Sequence, residues 1–155
     1  MPAREVASAS PDDTEELGAR LGRSAEAGAL VGLVGDLGAG KTCLVRGLAA
    51  GLGADPTLVH SPTFVIATEY CGGRLALHHV DLYRLERPLD DELSFRDVLC
   101  GDGVAAVEWF ERLLPAAGDE MLVVRIDHVG GERRRIRLEA RGPRHERWLA
   151  RAFAN

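Results

Sequence analysis

Eight residues, Gly35-Asp36-Leu37-Gly38-Ala39-Gly40-Lys41-Thr42, satisfy G-x-x-x-x-G-K-[ST] at every fixed position. The spacing has a physical reason. Glycines let the backbone curl until the N–H groups of Asp36, Leu37, Gly38, Ala39 and Gly40 point inward at an anion. A helix that starts at the end of the loop aims its positive pole at the same place. The lysine reaches β- and γ-phosphates as a mobile ammonium, and the Thr42 hydroxyl suits a magnesium ion bridging two phosphates. Lys41 is also the only lysine in a chain with 19 basic residues; every other one is arginine. A genome-wide drift toward arginine accounts for the rest. At this position a planar, forked guanidinium is a poor replacement. The competing reading, a glycine-rich turn with an ordinary surface lysine, fits the flanking sequence badly: an apolar run precedes the loop and an apolar helix pattern follows it.

Acids that could complete such a site stand at strand ends. Glu108 closes the apolar run Gly103 to Val107, where a strand would deliver a carboxylate to a loop-bound magnesium. Asp81 competes for that role. If Glu108 holds the metal, Asp81 is left to orient an attacking water or polarise a neighbour. His60-Ser61-Pro62-Thr63-Phe64 offers hydroxyls at Ser61 and Thr63 on a turn stiffened by proline. His79, Asp81 and Tyr83 alternate, so they share one strand face. A lone strand histidine reads as structural, Arg84 as surface and Trp109 as core.

The elements that must position these groups can be read in outline. Ser10, Pro11, Asp12 and Asp13 signal the start of a helix running to about Ala27. Gly28 to Gly35 is a short, continuously apolar run, the pattern of a strand buried on both faces. Gly40 to Leu52 reads as a helix closed by glycine. Strands follow in Pro62 to Tyr70 and Arg74 to Leu85, joined by a hairpin at Cys71-Gly72-Gly73. Leu89 to Leu99 reads as a short helix and Gly103 to Trp109 as a buried strand. Met121 to Val129 and Arg133 to Arg141 alternate about a Gly130-Gly131 turn, which predicts an antiparallel hairpin with one wet face. A last helix starts at Pro143 and packs Trp148, Leu149 and Phe153. The fold class is α/β: a P-loop NTPase-like mixed sheet flanked by helices, with antiparallel hairpins.

Bulk properties bound the rest. The 155 residues suit one domain, 46% are apolar, and the formal charge of −5 argues against a nucleic-acid binder driven by charge alone. Cys43, Cys71 and Cys100 match no metal pattern or disulfide framework, which favours a reducing compartment. The polar N-terminus has no signal-peptide core and no run is long enough to span a membrane, so a cytoplasmic protein is expected.

Together these motifs resemble the bacterial TsaE (YjeE) family, the small ATPases of tRNA threonylcarbamoyladenosine biosynthesis. The resemblance runs from about Thr14 to Leu138. It is carried by Thr14 to Gly18, the loop, Arg46 to Ala54, Ser61-Pro62-Thr63-Phe64, Glu69-Tyr70, His79 to Leu85 and Val107-Glu108-Trp109. It implies that Lys41 and Thr42 bind ATP and magnesium, that Glu108 is the second magnesium contact, and that Asp81 and Thr63 lie near the γ-phosphate. It places Thr14 toward the adenine and an arginine after Gly131, Arg133 or Arg135, on the nucleotide. It also implies partners similar to TsaD and TsaB, with tRNA reached through their complex. Cys43 departs from the family's usual threonine, yet its backbone N–H can still meet the α-phosphate.

Two other functions use the same loop. A small-molecule kinase needs an acceptor site and an arginine-bearing lid, and the short acidic stretch after Pro88 offers no convincing lid. A nucleotide-controlled binding module would hydrolyse only incidentally. Guanine specificity is disfavoured, because its asparagine-lysine-x-aspartate signature requires a second lysine.

Overall fold

The computed structural model describes residues 3–35, 40–59, 67–81, 102–108 and 120–154. Seven strands form one mixed sheet: β1 (Ala3–Ser8), β2 (Leu30–Val34), β3 (Ala67–Tyr70), β4 (Leu77–Asp81), β5 (Val104–Glu108), β6 (Met121–Gly130) and β7 (Arg133–Arg141). Their order across the sheet is β1-β7-β6-β2-β5-β4-β3. The centre, β6-β2-β5-β4, is parallel, and the outer pairs β1–β7, β6–β7 and β3–β4 are antiparallel. Among the described residues three helices accompany it: α1 (Pro11–Ser24), α2 (Lys41–Leu52) and α3 (Pro143–Ala152), with a 3₁₀ turn at Pro56–Leu58.

The central strands carry the most apolar sequence because they are covered on both faces. All five residues of β2 and of β5 are buried. Val31 and Leu33 of β2, Val104 and Ala106 of β5, and Leu122, Val124 and Ile126 of β6 join Leu17, Leu21, Leu44, Leu48 and Trp148 from the helices in one core. Helices α1 and α2 approach closely on glycines. A methyl on Gly47 would strike the Glu15 carbonyl, and one on Gly18 the Leu44 carbonyl. Helix α3 is tied to α1 by the Trp148 indole N–H, which donates to the Leu21 carbonyl at 3.0 Å.

Three features differ from the sequence expectations. Helix α1 stops at Ser24 rather than near Ala27. Ala25 is already extended, and the Ser24 and Ala27 carbonyls accept from the guanidinium groups of Arg151 and Arg144 on α3 instead of continuing the helix. Strand β6 is not simply antiparallel with one wet face. Its first half lies between parallel β2 and antiparallel β7, so Met121 to Val124 are all buried, and wet positions begin at Arg125. Strand β1 is an addition that the sequence pattern did not suggest. The expected helix at Leu89 to Leu99 lies outside the described residues.

Candidate active site

Strand β2 delivers the chain to Gly35, and α2 begins at Lys41. Gly40 between them has φ 112° and ψ 15°, a left-handed conformation that glycine adopts without steric cost. No side chain caps α2, and its first turn contains no acid. Its leading N–H groups and positive pole are therefore not neutralised by the helix's own residues. Lys41 is 5% exposed, and its ammonium donates to the Gly35 carbonyl oxygen at 2.7 Å. Thr42 and Cys43 are half-buried in the first turn of α2. Asp36, Leu37, Gly38 and Ala39 lie outside the described residues.

Helix α1 starts against this loop. Ser10 accepts from the Asp13 N–H at its cap, and Asp13 accepts from the Ala9 N–H. That arrangement sets Thr14 on the buried side, 2% exposed. Its methyl carbon stands 3.8 Å from where a side chain on residue 40 would begin. Its hydroxyl is 2.7 Å from Ser8 Oγ, which itself donates to the Ser10 carbonyl.

The two candidate acids occupy paired positions on adjacent strands. Asp81 on β4 pairs in register with Glu108 on β5, and Glu108 pairs with Leu33 on β2. Both acids thus stand at the strand ends nearest the loop; the side chain of Asp81 lies outside the description. Glu108 is 3% exposed, and its Oε2 lies 2.6 Å from Nε2 of fully buried His79. His79 Nδ1 has no partner among the described residues. Read from the sequence alone, His79 shares the face of Asp81 and counts as structural. The alternation in His79-Val80-Asp81 was the available signal.

The β6–β7 hairpin overhangs the same sheet edge. Val34, the last residue of β2, pairs with Arg125, and β6 continues to Gly130 before turning. Arg133 and Arg135 open β7 and are exposed. By strand alternation they stand on the face opposite Ile136 and Leu138, away from the helices. Arg134 pairs with Ser8 and shares the helix-bearing face; its guanidinium donates to the carbonyls of Gly131 and Arg133, each at 2.9 Å. An open cavity of about 340 Å³ beside the hairpin is lined by Glu5, Val6, Ala7, Val129, Arg134 and Arg135. Thr63, with the rest of His60 to Phe64, and Tyr83, Arg84 and Trp109 lie outside the described residues.

Comparison with known proteins bears on the family and the fold. Residues 8–136 match the family model described as threonylcarbamoyl adenosine biosynthesis protein TsaE. The chain is 38% identical over 136 residues to the tRNA threonylcarbamoyladenosine biosynthesis protein TsaE of Bacillus subtilis, covering 88% of this chain and 85% of that one. It is 47% identical over 120 residues to the protein of the same name from Streptomyces coelicolor, covering 76% and 80%. The crystal structure of Bacillus subtilis YdiB superposes with a TM-score of 0.83 at 30% identity, covering 97% of this chain and 94% of that one. No described helix is long and apolar enough to cross a membrane.

Proposed function

The chain belongs to the TsaE family of threonylcarbamoyl adenosine biosynthesis proteins, and on that premise we propose that it is a magnesium-dependent ATPase of the cytoplasm. In this reading residues 1–155 act as one P-loop domain. Hydrolysis supports TsaD-like and TsaB-like partners as they transfer a threonylcarbamoyl group to the adenosine next to the anticodon of tRNA. The observation that carries the reading is the buried Lys41 ammonium, held on the Gly35 carbonyl where β2 passes into an uncapped helix.

A buried ammonium must keep a hydrogen-bond acceptor. On ATP binding Lys41 exchanges the Gly35 carbonyl for β- and γ-phosphate oxygens, so the site gains a phosphate contact without exposing the charge. The loop N–H groups from Asp36 to Gly40, with those of Lys41, Thr42 and Cys43, hold the remaining phosphate oxygens. Thr14 supports Gly40 from behind, and an arginine of the β6–β7 turn closes over the nucleotide. Arg133 and Arg135 are the candidates from the sequence; Arg134 is the one that shares a face with Ser8.

The donor set fits a hard cation. Thr42 and Glu108 offer oxygens, and Glu108 Oε1 has no hydrogen bond among the described residues. No cluster of three or more His, Cys, Asp or Glu gathers among the described residues. Magnesium suits such a place, because it binds through one or two protein oxygens together with substrate phosphates. When bound, it would supply positive charge against the charge developing on the phosphates. Asp81, in register with Glu108, orients the attacking water, with Thr63 near the γ-phosphate.

The test is phosphate release from ATP, measured with and without purified TsaD-like and TsaB-like proteins. Magnesium-dependent release that rises with the partners is expected. A phosphorylated metabolite formed in stoichiometric amount would overturn the reading in favour of a small-molecule kinase.

A further inference from the structure

We propose that His79 is a positioning residue for Glu108: it holds one carboxylate oxygen so that the other is presented to the magnesium shell. This rests on the reading above, in which Glu108 serves the cation.

The pair is built from two strands already held in register by their backbones. His79 pairs with Ala106, which pairs with Val31, and Glu108 pairs with Leu33, so His79, Ala106 and Glu108 lie on the face of Val31 and Leu33, toward α2. Glu108 lies two residues beyond the register partner of His79, and its Oε2 meets Nε2 at 2.6 Å. The ladder between β4 and β5 is complete without this bond, so registering the strands does not require it.

Burial explains why Glu108 needs a fixed neighbour. A carboxylate 3% exposed is costly unless it is hydrogen-bonded. Among the described residues its hydrogen-bond partner is His79, which is itself fully buried. An arginine fork in that place would occupy both oxygens. The imidazole donates once, from Nε2, and leaves Oε1 without a hydrogen bond among the described residues. Magnesium demands near-ideal octahedral geometry, so a carboxylate already confined to one orientation binds it, or a water on it, with less ordering cost.

The experiment reads metal affinity rather than turnover. Manganese, as the probe, is titrated by electron paramagnetic resonance into protein carrying a non-hydrolysable ATP analogue; binding of that analogue is measured separately in excess chelator. Wild type is compared with His79→Phe and His79→Gln, each checked for cooperative unfolding. The expected result is about tenfold weaker manganese binding in His79→Phe, the scale of lost outer-shell contacts. Chelator-condition analogue binding should stay at the wild-type level, and His79→Gln, which keeps an N–H donor, should recover part of the loss. In a Glu108→Gln background His79→Phe should add nothing. Unchanged manganese affinity in His79→Phe would overturn the proposal. So would an equal loss with and without metal, which marks a purely structural role. Wild-type protein that takes up analogue but no manganese would defeat the assignment of Glu108 to the cation; wild type that takes up neither would defeat the ATPase reading itself. If His79→Phe fails to fold, the single and double variants with His79→Gln carry the same comparison.

Discussion

Ser8 and Thr14 place their hydroxyl oxygens 2.7 Å apart, joining the edge strand β1 to the helix that abuts the phosphate loop. Ser8 donates onward to the Ser10 carbonyl, so it accepts from Thr14. The Thr14 hydroxyl is therefore engaged inside the protein, while its methyl faces Gly40. Thr14→Val keeps the shape and removes the donor. It should lower stability by about 1 kcal/mol, the usual size of one hydrogen bond, in urea unfolding. ATP affinity should change little. A large loss of affinity with little loss of stability would show that the hydroxyl serves the ligand rather than β1.

The α1–α2 contact depends on glycine. A β-carbon at Gly47 collides with backbone, the Glu15 carbonyl, which no rotamer change can relieve. Gly47→Ala should therefore destabilise the protein by roughly 1–3 kcal/mol, as overpacking does, despite alanine's better helix propensity. A thermal melt at or above the wild-type midpoint would contradict the close packing of these helices.

His145 gives the fold a dependence on pH. It is buried on α3, and its Nε2 accepts from the Leu30 N–H at 3.1 Å. Burial pushes its pKa below the ordinary 6.5, with Glu120 pulling upward and Arg144 downward to smaller extents. The unfolded chain thus takes up the proton more readily than the folded one, so stability rises with pH across this window. The contribution is complete above the unfolded value and is lost as pH falls through the lower folded value. Wild type should lose more stability between pH 7 and pH 5 than His145→Gln does, measured by urea midpoints. Parallel curves would show that His145 does not set the dependence.

How much of this was legible in the chain follows from how local each signal is. The loop and α2 were legible because glycine and lysine at fixed offsets state a backbone requirement directly. The buried strands β2 and β5 were legible as unbroken apolar runs. Strand β1 was not, because Ala3 to Glu5 are exposed and Val6 is only partly buried; the segment becomes a strand by pairing with β7. The His79–Glu108 bond joins residues 29 apart and exists only through the β4–β5 register. The arginines after Gly131 could be picked out as a group, but which one faces the helices depends on the pairing of Arg134 with Ser8.

The central claim is that Lys41 exchanges its own loop carbonyl for the phosphates of ATP. Titration calorimetry with ATP and magnesium, on wild type and Lys41→Met of equal stability, tests it most directly. The account predicts saturable binding at one site in wild type and a loss of at least tenfold, about 1.4 kcal/mol, in the variant. Equal affinity in the two proteins, or no binding to well-folded wild type alone or with its partners, would contradict it.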